Sequence, residues 1–205
     1  MKLLDCYLPV FKLAAHFAHQ PELFADYDSF RTLCITRLEQ AVQEAEYQDV
    51  SDFERDQAFF ATVVWLDETV LCSGQPFAQS WRADLLQRKY FQTSIGGEAF
   101  FARLSHLKEE HQQARQVFLF CLQSGFHGKY SSGQERSALA SLIEQQRQHS
   151  LPEDWRAWPN DAQITPINIK KRSLTASAKS RVGLAVLSLA LIYGALFLLQ
   201  THYFS

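Results

Sequence analysis

The chain has 205 residues, 47% of them hydrophobic, with 16 Phe and 4 Trp and a net charge of −2 at neutral pH. Five of the 20 cations and none of the 22 acids lie after residue 169, so the preceding part is distinctly acidic. That balance excludes a nucleic-acid partner, which needs a basic surface. The four widely spaced cysteines, Cys6, Cys34, Cys72 and Cys121, contain no C-x-x-C pair and exclude a disulfide framework or zinc ribbon.

The chain begins with helical spacing over Leu3 to His19, where Leu4, Leu8, Phe11 and Ala15 form the apolar stripe with Tyr7, Ala14 and Phe17 beside it. Pro21 interrupts it. Asp26 is placed to cap a second helix with Phe30, Leu33, Cys34, Leu38, Ala41 and Val42 inward. Ser51-Asp-Phe-Glu54 has the form of a capping box and opens a third helix running to about Cys72. Its segment AFFATVVWLDETVLC is apolar on almost every face, which predicts a central helix covered all round.

A fourth helix is expected from about Phe77 to Phe91, and Gly96-Gly97 are expected to break the chain before a short helix over Glu98 to Leu107. A helix from about Glu110 to Ser124 follows, with Gly125 as its left-handed cap and Phe126 behind it. Gln134 to His149 makes a last polar-faced helix, and three prolines and two tryptophans between Leu151 and Ile169 make a connector. No segment alternates like a strand, so the fold class is all-α. The domain boundaries read as 1–150 for a helical head, 151–181 for a linker and 182–199 for an anchor. A short tail, 200–205, follows.

Val182 to Leu199 is uncharged. Its 18 residues span about 27 Å as a helix, close to the ~30 Å hydrocarbon core of a bilayer. Lys170, Lys171, Arg172, Lys179 and Arg181 all precede it, which by the positive-inside rule keeps the N-terminal head in the cytoplasm and draws the segment to anionic lipid.

Catalytic patterns are weak. His106 and His111 are five residues apart, about 140° round a helix, and do not share a metal-binding face as histidines four apart would. Gly128-Lys129 lacks the rest of a phosphate loop, and no G-x-S-x-G occurs. The acidic pair Asp67-Glu68 stands out because it interrupts the apolar third helix. A buried carboxylate without partners costs several kcal/mol or takes up a proton. Either Asp67 ties the helix to another segment, with Lys129, Tyr130 or Arg82 as candidate donors, or the pair lies in a docking surface, a reading that suits Glu68 better. Eight acids and one base between Glu44 and Glu68 form a local field suited to steering a basic partner.

Three motifs then converge: Val64-Trp-Leu-Asp-Glu-Thr-Val-Leu71, Gly96-Gly97-Glu98-Ala-Phe-Phe101, and Cys121-Leu-Gln-Ser-Gly-Phe-His-Gly-Lys-Tyr130. In this order, before a C-terminal anchor, they resemble the TssL/DotU family. The resemblance implies an inner-membrane component of a type VI secretion system, or of the related type IVB systems, with a cytoplasmic hook of two small helical bundles. It implies no enzyme activity and no cofactor. Implied partners are a TssM/IcmF-like inner-membrane protein, a TssK-like baseplate protein, membrane lipid and a second copy. By position, Asp67, Glu68, Gly97 and Glu98 match the docking signatures, and Gly125, Gly128 and Tyr130 match the last turn, read here as structural. A membrane-tethered hydrolase is the alternative from another class.

Overall fold

Eight α-helices and a short 3-10 turn (Pro21–Phe24) account for most of the described chain: α1 (Leu3–His19), α2 (Tyr27–Glu46), α3 (Asp52–Leu71), α4 (Ala78–Ala83), α5 (Leu86–Phe91), α6 (Gly96–Ser105), α7 (Gln112–Gln123) and α8 (Arg136–Ser150). The computed structural model describes residues 2–151 except Ala25 and residues 131–134. The described residues contain no strand. They fall within the unit Met1–Asn160; a second unit, Asp161–Ser205, lies outside them. So do the expected anchor 182–199, its tail 200–205, nearly all of the linker 151–181 and the cations Lys170, Lys171, Arg172, Lys179 and Arg181. Among the described residues, no helix is long and apolar enough to cross a membrane.

The all-round apolar character of α3 is answered by its neighbours: α1, α2, α4, α5, α6 and α7 all pack on it. From Phe60 to Asp67 every residue of α3 is buried. One apolar cluster runs through the whole head, from Leu3 on α1 to Leu139 on α8, with no gap between a first and a second bundle. Rings carry much of it: Phe17 stacks on Phe30 with centroids 4.4 Å apart, and Phe100 lies 4.2 Å from Phe126.

Two expected caps form. Asp26 accepts the Ser29 N–H at 2.8 Å and Ser51 accepts the Glu54 N–H at 3.2 Å. The reciprocal half of the box is diverted. Glu54, buried, turns its Oε1 to the N–H groups of Gln113 and Ala114, at 3.1 and 3.3 Å, and so caps α7 instead of its own helix.

Other elements depart from expectation. The buried stripe of α1 is Leu3, Cys6, Tyr7, Val10, Phe11, Ala14 and Phe17, rotated from the expected one; Ala15 is exposed. The expected helix from Phe77 to Phe91 is two, α4 and α5, separated at Asp84-Leu85. Gly96 and Gly97 do not break the chain but open α6.

Candidate functional site

The two carboxylates of α3 reach in different directions, and each ends on backbone N–H groups. Asp67 is 0% exposed. Its Oδ1 accepts Trp81 Nε1–H at 2.8 Å and the Leu86 N–H at 3.0 Å, and its Oδ2 accepts the Gln87 N–H at 2.9 Å. These bonds are why the fourth helix splits: the first turn of α5 needs its free N–H groups pointed at Asp67, so the chain must leave the axis of α4. Burial pushes the Asp67 pKa up, while the bonds from Gln87, Trp81 and Leu86 and the charge of Arg31 oppose that rise. Arg31 itself pairs with Asp84 at 2.8 Å and lies over the Trp81 ring at 5.1 Å. The donors are therefore not Lys129, Tyr130 or Arg82. A fully enclosed carboxylate touches no partner, so the expectation of Asp67 in a docking surface gives way to a structural role.

Glu68 points the other way. Its side chain is 22% exposed, and it accepts the His127 N–H at 2.6 Å and the Gly128 N–H at 2.8 Å. It thereby fastens α3 to the turn after α7. That turn is a Schellman cap: Phe126 N–H bonds Cys121 O and Gly125 N–H bonds Leu122 O, both at 3.2 Å. Gly125 and Gly128 have φ of 91° and 51°, the left-handed region that glycine adopts without strain.

The glycine pair of the second motif closes the knot. A Cβ on Gly97 would stand 3.2 Å from Gly128 Cα, and a Cβ on Gly96 would stand 2.1 Å from Gln87 Oε1. Gly96 N–H donates to that same Gln87 oxygen at 2.8 Å. Phe101 packs edge-on against Tyr130 at 4.8 Å and lies 5.9 Å from Phe126. Glu98 alone of the motif acids is exposed. The three motifs that are far apart in sequence thus meet in one place: Asp67 holds α5, Gln87 holds α6, and Glu68 holds the 126–130 turn to α3, with Gly128 packed against Gly97 of α6. Sequence reasoning missed Gln87, which carries no motif signal, and the reach of Glu54.

Among the described residues, no group of three or more His, Cys, Asp or Glu side chains could hold a metal ion.

A further group of exposed acids lies at the α2–α3 turn. Glu44, Glu46, Asp49, Asp52 and Asp56 are exposed, beside Tyr47, which is 88% exposed. Arg55 folds back to donate to Gln48 O and Val50 O, at 3.1 and 2.7 Å, and to Asp52, so the turn is held rigidly. Asp56 pairs with Arg103 at 2.8 Å. Among the described residues, no cation pairs with Glu44, Glu46 or Asp49.

Comparison with known proteins agrees with this geometry. No curated protein matches the sequence. The fold is similar to that of the cytoplasmic domain of TssL from Acinetobacter baumannii, with TM-score 0.66 and 27% identity over 73% of this chain and 96% of that one. It is also similar to SciP/TssL from enteroaggregative Escherichia coli 042, with TM-score 0.57 and 20% identity over 70% of this chain and 86% of that one, a likeness of fold. The profile of the type VI secretion system protein DotU matches residues 2–202, and the chain belongs to the DotU family.

Proposed function

We propose that this protein is a non-enzymatic scaffold of a type VI secretion membrane complex, anchored in the bacterial inner membrane by residues 182–199 with its helical head in the cytoplasm. The head docks a TssK-like baseplate protein through its acidic surface, pairs with a TssM/IcmF-like membrane protein and associates with a second copy. Membership of the DotU family supports the machine, and the charge-free stretch behind five cations supports the anchor and its orientation. The anchor confines the head to the membrane plane, which raises its effective concentration toward membrane partners.

The observation that carries the docking reading is the α2–α3 turn. Glu44, Glu46 and Asp49 stand exposed around Tyr47 on a turn made rigid by Arg55. Uncompensated charge around an exposed aromatic suits steering and anchoring of a basic partner. Glu98 offers a separate exposed acidic point for a partner, while Asp67, Glu68 and Gly97 hold α3, α5, α6 and the 126–130 turn together. The triple substitution E44K/E46K/D49K tests the reading. Capture of the baseplate protein from native membranes should fall sharply, with the melting temperature of the head unchanged. Undiminished capture by a folded triple variant would refute it.

A further inference from the structure

Where α2 ends and α3 begins, a pocket of about 420 Å³ opens beside the acidic turn, within the ~300–1,000 Å³ range of ligand sites. Val42 and Ala45 of α2 and Phe59 of α3 give it apolar walls. Glu46, Asp52 and Asp56 supply carboxylates.

Arg55 also lines the pocket, but its guanidinium is engaged: Nη1 donates to Gln48 O and Val50 O, and Nη2 to Asp52. Asp56 meets Arg103 and Gln57 through Oδ2, so among the described residues its Oδ1 accepts no hydrogen bond. Glu46 pairs with no cation among the described residues.

Acids at a helix end are ordinary, and by themselves they mark no site. Tyr7 supplies the independent observation. It belongs to α1, yet it reaches the same pocket. It is 1% exposed, and no described residue hydrogen-bonds to its hydroxyl. The hydroxyl of Tyr90 is sealed in without a partner; that of Tyr7 keeps access to the pocket. Burial pushes the Tyr7 pKa up, and the charges of Cys6 and Asp56 add to the rise, so the phenol lies within electrostatic reach of Asp56. Buried hydroxyls are nearly always hydrogen-bonded. One left free beside carboxylates is matched by a cationic donor arriving from outside.

We propose, on the docking reading above, that this pocket receives an arginine side chain of the basic partner. The guanidinium N–H groups donate to Tyr7 Oη, Asp56 Oδ1 and the Glu46 carboxylate, and the aliphatic stem lies against Val42 and Phe59. A planar fork of donors meets acceptors on several walls together, whereas a lysine ammonium presents its donors from one point. Glu44 and Asp49 then steer the partner, and the pocket anchors it.

The probe is N-acetyl-arginine methylamide, titrated into the full-length protein in detergent. Saturation-transfer NMR reads affinity, and isotope-labelled tyrosine reads position, Tyr7 being the signal lost in Y7F. The arginine derivative should bind saturably and shift Tyr7. The citrulline derivative, of the same shape without the charge, should not. Y7F removes one neutral hydrogen bond and should weaken binding about fivefold, and E46Q/D56N at least about tenfold. The melting temperature of Y7F should not fall, since the hydroxyl has no bond within the head to lose. Equal binding of the citrulline or lysine derivative overturns the proposal, as does undiminished binding by Y7F. A clear fall in the Y7F melting temperature also overturns it, because the hydroxyl then serves the fold. So does a Tyr7 signal that moves on dilution without probe, which assigns the pocket to a second copy. Baseplate capture by E44K/E46K/D49K is scored separately: if capture falls while the arginine derivative does not bind, the pocket fails and the docking reading stands.

Discussion

Replacing Asp67 by Ala removes the acceptor from three enclosed donors: Trp81 Nε1–H and the N–H groups of Leu86 and Gln87. Each buried donor left without a partner costs about 1–3 kcal/mol, a gross loss of about 3–9 kcal/mol. Removing the charge returns part of its desolvation cost, so a net loss of about 3–5 kcal/mol is expected. Domains of this size have about 5–15 kcal/mol in total, so the variant should lose a large share of its stability. Asp67→Asn keeps one carbonyl acceptor but sets an NH2 group against a backbone N–H, and should lose about 2–3 kcal/mol. Urea titration followed by circular dichroism and tryptophan fluorescence measures both, and Trp81 emission should shift even in the folded Asn variant because its N–H loses its ionic acceptor. An Ala variant within about 1 kcal/mol of the unaltered protein would refute the assignment of Asp67 as the tie between α3 and α5.

Gly125 and Gly128, both left-handed, should respond unequally. Gly125→Ala meets nothing within 4 Å and should cost about 1–2 kcal/mol for its φ alone, whereas Gly128→Ala also drives a Cβ to 2.8 Å from Phe101 and should cost clearly more, as read from denaturation midpoints. Glu54→Ala strips the N–H groups of Gln113 and Ala114 of their acceptor; a loss of about 1–2 kcal/mol and faster hydrogen exchange confined at first to the start of α7 are expected. In the native state a maleimide should label Cys72 quickly and Cys6, Cys34 and Cys121 only on unfolding, since the latter three are buried and burial pushes the Cys34 thiol up to about 12. Mass spectrometry of the labelled protein counts the sites.

How far the sequence revealed this fold depends on the range of the forces involved. The start of α2 at Asp26 and of α3 at Ser51 were legible, because a cap is a contact between residues three apart. The full enclosure of α3 was legible from its unbroken apolar faces. The split between α4 and α5 was not, because it is imposed by a carboxylate 19 and 20 residues upstream. Gly96-Gly97 read as a break because glycine is a poor helix former, yet here a side chain would collide with Gln87, a constraint absent from the local sequence. The acidic pair is exceptional within so apolar a helix, but its partners are mostly backbone N–H groups, which no motif announces.

The bonds from Glu68 to His127 and Gly128 bridge 59 and 60 residues. Such a closure cannot form while the ribosome still holds the later part of the chain. Throughout synthesis of the first hundred residues, then, α3 waits with the flank meant for α7 uncovered, greasy and open to misassociation.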